Sequence, residues 1–260
     1  MLKVGSVKSI VRYPVKSMAG EEINEGFIGF AGLFGDRAFA FTYQGGKPGF
    51  PWFTIRQLED LVRFKATFKW PDKVRAPVDL QASLALGPGV APLFPQGDAF
   101  DVEVAAPSGE VFSIRDDGLR EMLEGETGEQ LSLRFSERSL SDCRPVSLFA
   151  GNSLRALEAE IGVRLDARRF RANLYVDWDD AAPFYENDLM GRVLQIGSRA
   201  RIMVTERDPR CKIVTIDPDT ADETPKILRH ITSAHGGSAG VYGAVLFEGA
   251  VRNGDPICVV

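Results

Sequence analysis

One cysteine lies among basic residues in the segment ERDPRCKIVTIDPDT, residues 206–220. Cys211 stands between Arg210 and Lys212, with Arg207 nearby. Neighbouring positive charges favour the thiolate over the thiol, and the thiolate is the form that attacks electrophiles and binds metals. The segment therefore predicts a nucleophile or a metal ligand at Cys211. The alternative is an exposed turn, because two Asp-Pro dipeptides flank the short apolar run.

A second group of basic residues lies upstream, where four arginines fall close together: Arg164, Arg168, Arg169 and Arg171. The net charge of the chain is −5, which argues against a broad basic surface for nucleic acid. We expect the basic clusters to be local and to line a pocket for a small anion. A salt-bridged surface is the alternative.

Two further stretches carry polar groups suited to an anion. In YPVKSMAG, Lys16 and Ser17 follow an apolar strand and can both donate hydrogen bonds to phosphate. In GLFGDRAFAF, Asp36 and Arg37 stand at a glycine turn. Structural roles are the alternative for both: a strand-end lysine beside a turn, and an aspartate that closes a turn and pairs with Arg37.

Several motifs of common enzyme classes are missing from the sequence, which has no Walker loop, GxGxxG or HExxH. The glycines of AHGGSAGVYG predict a flexible loop. A nucleophilic pair of Cys211 and His235 stays open, because spatial proximity cannot be read from sequence. The three cysteines include no CxxC pair; Cys258 is expected to be a buried thiol and Cys143 is ambiguous. This usage predicts a reducing, cytoplasmic compartment without a zinc or iron–sulfur site.

The periodicity of apolar residues predicts a mostly β protein with a few helices, of the α+β class, with a barrel or sandwich at its amino-terminal end. No apolar run is long enough to span a membrane. A β domain over residues 1–115 and a larger α+β domain over 116–260 are expected. The predicted strands are 2–11, 23–30, 37–43, 62–70, 80–86, 100–105, 170–178, 193–196, 200–204, 213–215, 241–247 and 257–260. Helices are predicted from Asp116-Asp117 to Gly125 or Gly128, from Asn152-Ser153 through Ile161 with Gly162 ending it, and from Pro225 through His230.

Six motifs in order resemble one family over nearly the whole chain: YPVKS, GLFGDR, TIR, RFRAN, PRCKIVTIDPDT and GAVRNGDPI. They are similar to MOSC-domain proteins, named after the carboxy-terminal domain of molybdenum cofactor sulfurase. The order matches the two-part form of the amidoxime-reducing components. The resemblance implies a MOSC-type β-barrel core and an amino-terminal MOSC β-barrel domain.

The resemblance also implies a molybdenum cofactor, in which a pyranopterin phosphate carries molybdenum on a dithiolene. Cys211 would ligate the metal and be the catalytic residue, and soft sulfur suits this metal. The residues implied to hold the phosphate and pterin are Lys16, Ser17, Arg37, Arg56, Arg171 and Asn173, with Arg210 beside the ligand. Ala172 departs from the proline that is frequent in the family motif.

The activity implied is that of an oxidoreductase acting on a small N-hydroxylated or N-oxide substrate. A separate electron-transfer reductase is the expected partner, because the sequence lacks the four cysteines of a ferredoxin-type cluster. Two other functions stay open. One is a sulfur carrier with a persulfide on Cys211, and the other is a protein that binds or stores the cofactor without turnover.

Overall fold

A computed structural model describes residues 1–77, 100–141 and 145–260 of the chain. Most of the described secondary structure is β. The strands, in chain order, are β1 Leu2–Arg12, β2 Glu21–Ile23, β3 Glu25–Gly29, β4 Gly32–Leu33, β5 Phe39–Lys47, β6 Phe50–Trp52, β7 Lys65–Phe68, β8 Val102–Ala105, β9 Val111–Ser113, β10 Leu131–Phe135, β11 Val146–Ala150, β12 Leu174–Trp178, β13 Val193–Ile196, β14 Ala200–Pro209, β15 Ser238–Phe247, β16 Gly249–Arg252 and β17 Pro256–Val259.

Helices are few within the described residues. The α-helices are α1 Asp117–Thr127, α2 Gly151–Ile161 and α3 Lys226–His235. The 3-10 helices are Glu59–Arg63, Pro71–Val74, Ala167–Phe170, Tyr185–Leu189 and Lys212–Thr215. In these parts of the chain, no helix is both long and apolar enough to cross a membrane.

A closed barrel encloses the first core. Its strands follow the order β12-β11-β15-β14-β13-β17-β1, and pairing of β1 with β12 closes the ring. The first strand closes the barrel because it is long enough to pair with two neighbours, placing Leu2 opposite Val259 and Ile10 opposite Leu174. Alternate strand residues point inward and fill the barrel with aliphatic side chains.

The second core is built mainly from amino-terminal residues. Three small sheets surround it, in the orders β10-β5-β6, β16-β3-β4 and β7-β8-β9. Phe100 contacts the rings of Phe34 and Phe135 edge to face, and α1 contributes Leu119 and Leu123. The predicted fold class is thus confirmed: the protein is mostly β with a few helices, with a closed barrel and an amino-terminal β-barrel domain.

The chain passes between the two cores more than once. Strand β1 belongs to the large barrel, whereas α1 and β10 pack in the amino-terminal core. The division between residues 115 and 116 stays a prediction.

Local signals placed the helices well. The side chain of Asp116 accepts a hydrogen bond from Gly118 N at 2.8 Å, and α1 ends at Gly128 with a φ of 72°. Helix α2 begins at Gly151, slightly before the predicted start, and its Asn152 side chain donates to Ala181 O instead of capping the helix. Helix α3 begins after Pro225 as predicted but extends to residue 235.

Three local predictions were wrong. Residues 213–215 lie in a 3-10 helix, and the strand predicted from residue 170 begins at Leu174 because a 3-10 helix precedes it. The glycine-rich segment is not a flexible loop: Gly236 ends α3 and β15 begins at Ser238, since strand pairing fixes this backbone. The predicted strand 80–86 and Cys143 lie outside the described residues.

Candidate functional site

A cavity of about 380 Å³ opens between the barrel and the amino-terminal core. It brings together every residue that the family resemblance implied for the cofactor. Those residues are Lys16, Ser17, Arg37, Arg56, Arg171, Asn173, Arg210 and Cys211. Residues from both cores line the cavity, so it forms only when the two cores are folded together. The binding roles of these residues stay predictions.

Cys211 lies two residues after the end of β14 and directly before the 3-10 helix Lys212–Thr215. Its backbone is extended and its side chain is an exposed, free thiol on the cavity. The preceding residue anchors this segment, because Arg210 N donates to Gly237 O at 2.8 Å. The thiol is therefore held on an anchored segment and open to a ligand.

Arg210 is fixed in place by three acceptors. Its Nε donates to Ala239 O and one Nη to Phe170 O, each at 2.7 Å, and the guanidinium forms an ion pair with Asp208. Gly240 permits this close packing: its φ is 83°, and a Cβ there would lie 3.2 Å from Arg210 Nη2. Arg210 thus presents a charge of fixed orientation beside Cys211.

Asp208 is a cavity residue that sequence reasoning missed. It is 2% exposed, and burial raises its pKa to about 6 although Arg210 and a hydrogen bond from Tyr242 favour the carboxylate. The Asp208-Pro209 dipeptide predicted a turn, so the sequence did not indicate that Asp208 lines the cavity. The only usable signal was strand alternation, which turns this side chain inward and Arg207 outward.

Arg37 and Arg171 form a like-charged pair on the cavity. Their guanidinium carbons lie 4.3 and 4.2 Å from the centre of the Tyr13 ring. Arg37 pairs with Asp36, as the turn interpretation predicted, while Arg171 Nη1 donates to Met18 O at 2.7 Å. Burial and the charge of Arg37 lower the pKa of Arg171 to about 10. A bound anion would relieve this repulsion.

Unfavourable backbone conformations also occur on the cavity. Ser17, Arg37 and Arg171 have φ angles of 68°, 47° and 51°, in the left-handed region that L-residues rarely adopt. Each such residue costs roughly 1–3 kcal/mol, and such costs persist where surrounding structure enforces them at functional sites. All three line the cavity, which points to a ligand there.

Lys16 and Arg56 keep their charged groups at the cavity. Lys16 is 8% exposed; its Nζ donates to Leu140 O at 3.1 Å and lies 5.5 Å from the centre of the Trp52 ring. Arg56 is exposed, with its guanidinium over Phe50. Arg56 is therefore the more solvent-exposed contributor of positive charge.

The side chain of Asn173 is hydrogen-bonded to residues of the barrel. It is 3% exposed, its Oδ1 accepts from Ser147 Oγ at 3.1 Å, and its Nδ2 donates to Val11 O at 3.4 Å. These bonds tie the start of β12 to β11 and β1. Its location supports a positioning role beside Arg171.

Several basic residues singled out in the sequence do not line the cavity. Lys212 forms ion pairs with two glutamates, and Arg207 is exposed on the other face of β14. Arg168 and Arg169 pair with aspartates of the 217–219 segment. Only Arg171 of the four-arginine cluster contributes to the cavity. The expectation that the whole cluster lines a pocket was wrong, because Arg168 and Arg169 form ion pairs with carboxylates outside the cavity.

Together, the fold and site define a two-core β-barrel protein with a cationic cavity and an exposed cysteine. The family model for the MOSC domain matches residues 136–258, and that for the MOSC N-terminal beta barrel domain matches residues 4–89. The chain belongs to the MOSC-domain family, which is associated with binding of the molybdenum cofactor. The sequence resemblance to this family is thus confirmed.

Solved structures similar to the chain include three proteins from bacteria. YiiM from Geobacillus stearothermophilus has 20% identity and a TM-score of 0.36, covering 45% of this chain and 54% of that one. YiiM from Escherichia coli has 20% identity and a TM-score of 0.34, covering 45% of this chain and 54% of that one. A YuaD protein from Bacillus subtilis has 14% identity and a TM-score of 0.46, covering 98% of this chain and 94% of that one. The chain spans about half the length of these YiiM proteins. Comparison with curated proteins found no match.

Proposed function

We propose that the protein is a molybdenum-cofactor-dependent oxidoreductase that reduces N-hydroxylated or N-oxide substrates. The observation that carries the proposal is the placement of the exposed Cys211 thiol on the same cavity as Lys16, Ser17, Arg37 and Arg171. A soft metal ligand and a set of anion donors face a common space.

The residues present fit this cofactor chemically. A thiolate is a suitable ligand for a soft metal centre, and guanidinium, ammonium and hydroxyl groups donate to phosphate. The cavity volume of about 380 Å³ lies within the range of roughly 300–1,000 Å³ typical of small-molecule sites. The repulsion between Arg37 and Arg171, which Asp36 relieves only in part, favours an anion over a neutral ligand.

Each of the cavity residues would have a distinct role in binding the cofactor. Cys211 would bind molybdenum, Arg37 and Arg171 would hold the phosphate, and the fixed guanidinium of Arg210 would orient the pterin. Bound molybdenum would supply two-electron redox chemistry. Reduction of an N-hydroxyl group consumes protons as well as electrons, and Asp208, with a pKa of about 6, can hold a proton at the cavity near neutral pH.

Electrons would come from a separate reductase. The sequence has three cysteines, too few for the four thiolate ligands of a ferredoxin-type cluster. With Cys211 assigned to molybdenum, two remain. The proposal therefore includes a transient complex with an electron-transfer protein.

Metal and pterin analysis tests cofactor binding. The protein, made in a host that synthesises the cofactor, is expected to contain molybdenum and pterin in near-equal amounts. Cys211→Ala should lose most of the metal while keeping part of the pterin, because the anion donors remain. Cys258→Ala, on β17, serves as the control and should keep both. Wild-type protein without molybdenum and pterin would contradict the proposal.

A second candidate, the sulfur carrier, is favoured by the exposure of the Cys211 thiol. Intact-protein mass spectrometry would show a sulfur adduct on Cys211 that reductant removes. Reconstitution with an electron donor and benzamidoxime separates the enzyme from both alternatives. Fully metal-loaded protein that gives no reduction would favour cofactor binding or storage.

A further inference from the structure

Both histidines of the chain converge on one carboxylate, away from the cofactor cavity. The Nε2 atoms of His230 and His235 lie 2.9 and 2.6 Å from Oε2 of Glu160. The three potential ligand atoms lie within 4.8 Å of one another. None of the three residues lines the cavity that contains Cys211.

Two packed helices bring these groups together. Glu160 lies in the last turn of α2, while His230 and His235 lie on α3. The ring of His235 also packs against Phe184, with ring centres 4.4 Å apart. Packing thus fixes one imidazole, and the contact between the helices brings the carboxylate to it.

We propose that Glu160, His230 and His235 form a binding site for a divalent transition-metal ion such as Zn²⁺. Two imidazole nitrogens and a carboxylate oxygen are a donor set that this ion uses, with bonds of roughly 2.0–2.2 Å. Tetrahedral bonds of that length place neighbouring ligand atoms about 3.4 Å apart. The observed distances of 2.6 and 2.9 Å need only a modest opening of the side chains to accept the ion.

The surroundings suit a cation with water in its remaining positions. The side chains of Glu160, His230 and His235 are 36%, 28% and 18% exposed, so solvent reaches the site. Partial burial raises the pKa of Glu160, but hydrogen bonds from His235 and His230 outweigh it and lower the pKa overall.

The opposing interpretation is a purely structural cluster, in which the two imidazoles only hydrogen-bond to the carboxylate. Both interpretations share the geometry without metal but differ in their response to it. A metal replaces a proton on each Nε2, whereas a structural cluster keeps its hydrogen bonds. The nitrogen resonances of the rings report this difference directly.

Long-range ¹H–¹⁵N spectroscopy on uniformly labelled protein near neutral pH provides the test, because the chain has two imidazoles. Addition of one equivalent of Zn²⁺ is expected to move both Nε2 resonances to metal-bound positions. Unchanged Nε2 resonances at tenfold excess Zn²⁺ would overturn the proposal. The same titration of Cys211→Ser should give the same imidazole response, which separates this site from thiol binding at the cavity.

Two conservative variants sharpen the result. His230→Asn and Glu160→Gln should each weaken Zn²⁺ binding at least ~10-fold in calorimetry, with folding checked by circular dichroism. Glu121→Gln, an exposed glutamate on α1, is the matched control and should bind as the wild type does. Equal affinity in all three variants would assign the bound zinc elsewhere. The outcome does not depend on the molybdenum cofactor.

Discussion

Arg37 donates a hydrogen bond from Nη2 to the backbone carbonyl of Arg171 at 3.2 Å, across a sequence separation of 134 positions. The first residue belongs to the amino-terminal part of the chain and the second precedes β12 of the barrel. This bond joins the two sides of the cavity. Both guanidinium groups also contact the ring of Tyr13, beside the cavity where an anion would be bound.

Removing one of these charges should affect ligand binding more than folding. Arg171→Gln is expected to change the free energy of unfolding of the cofactor-free protein by less than ~1 kcal/mol, because relief of charge burial offsets the lost hydrogen bond to Met18. Pterin content should fall several-fold. Urea denaturation and pterin fluorescence measure the two effects.

Arg169→Gln is the matched control for Arg171. Arg169 is 7% exposed but pairs with Asp217 and Thr215 O outside the cavity. Its replacement is expected to destabilise the protein by about 1–3 kcal/mol while the folded fraction keeps its pterin. Equal pterin loss in both variants would contradict a special role for Arg171.

The left-handed backbone at Ser17 predicts opposing effects on stability and binding. Ser17→Gly should raise the free energy of unfolding by about 0.5–1 kcal/mol, because glycine adopts a positive φ without steric cost. Cofactor retention should fall, because the hydroxyl donor is lost. Ala221→Gly, at a φ of 62° and away from the cavity, should give a similar stabilisation with retention unchanged. Loss of stability in Ser17→Gly would be the contrary result.

The two residues flanking Cys211 should respond differently to substitution. Lys212→Ala should change stability by less than ~1 kcal/mol, because its ion pairs lie near the surface, and leave molybdenum content unaltered. Arg210→Lys cannot reproduce three fixed hydrogen bonds and should cost about 2–4 kcal/mol together with most of the cofactor. Thermal unfolding and metal analysis check both variants. Equal molybdenum loss would mean that local charge matters more than cavity lining.

Asp208 predicts a pH dependence of known sign. Burial raises its pKa from 3.8 to about 6, so the folded state holds this proton more tightly than the unfolded state. Its contribution to stability is therefore present below the ordinary pKa and is lost as pH rises through about 6. Urea denaturation at several pH values should show that Asp208→Asn lacks this downward slope between these two pKa values.

Asp219 predicts a pH dependence of stability with the opposite sign. A hydrogen bond from Arg168 lowers the pKa of Asp219, so its contribution is present above the ordinary pKa and is lost as pH falls below it. Asp219→Asn should leave the Asp208 slope in place. A wild-type slope in Asp208→Asn would show that another group is responsible.

Sequence motifs identified the cavity residues better than charge did. Lys16, Ser17, Arg37, Arg171 and Cys211 belong to the motifs that carry the family resemblance, and all line the cavity. The density of positive charge was misleading for Arg168 and Lys212, because both side chains form ion pairs with carboxylates outside the cavity. The contribution of Asp208 could not be predicted either, since its altered pKa arises from tertiary burial.

The pairing of β1 with β12 and β17 has a consequence for biosynthesis. Strand β1 leaves the ribosome long before its partners β12 and β17 are translated, so it must wait for them. The ring cannot close while its last strand is still inside the exit tunnel. A pterin that depends on residues from both cores would therefore be loaded after translation, and a nascent chain stalled before β17 should copurify without it.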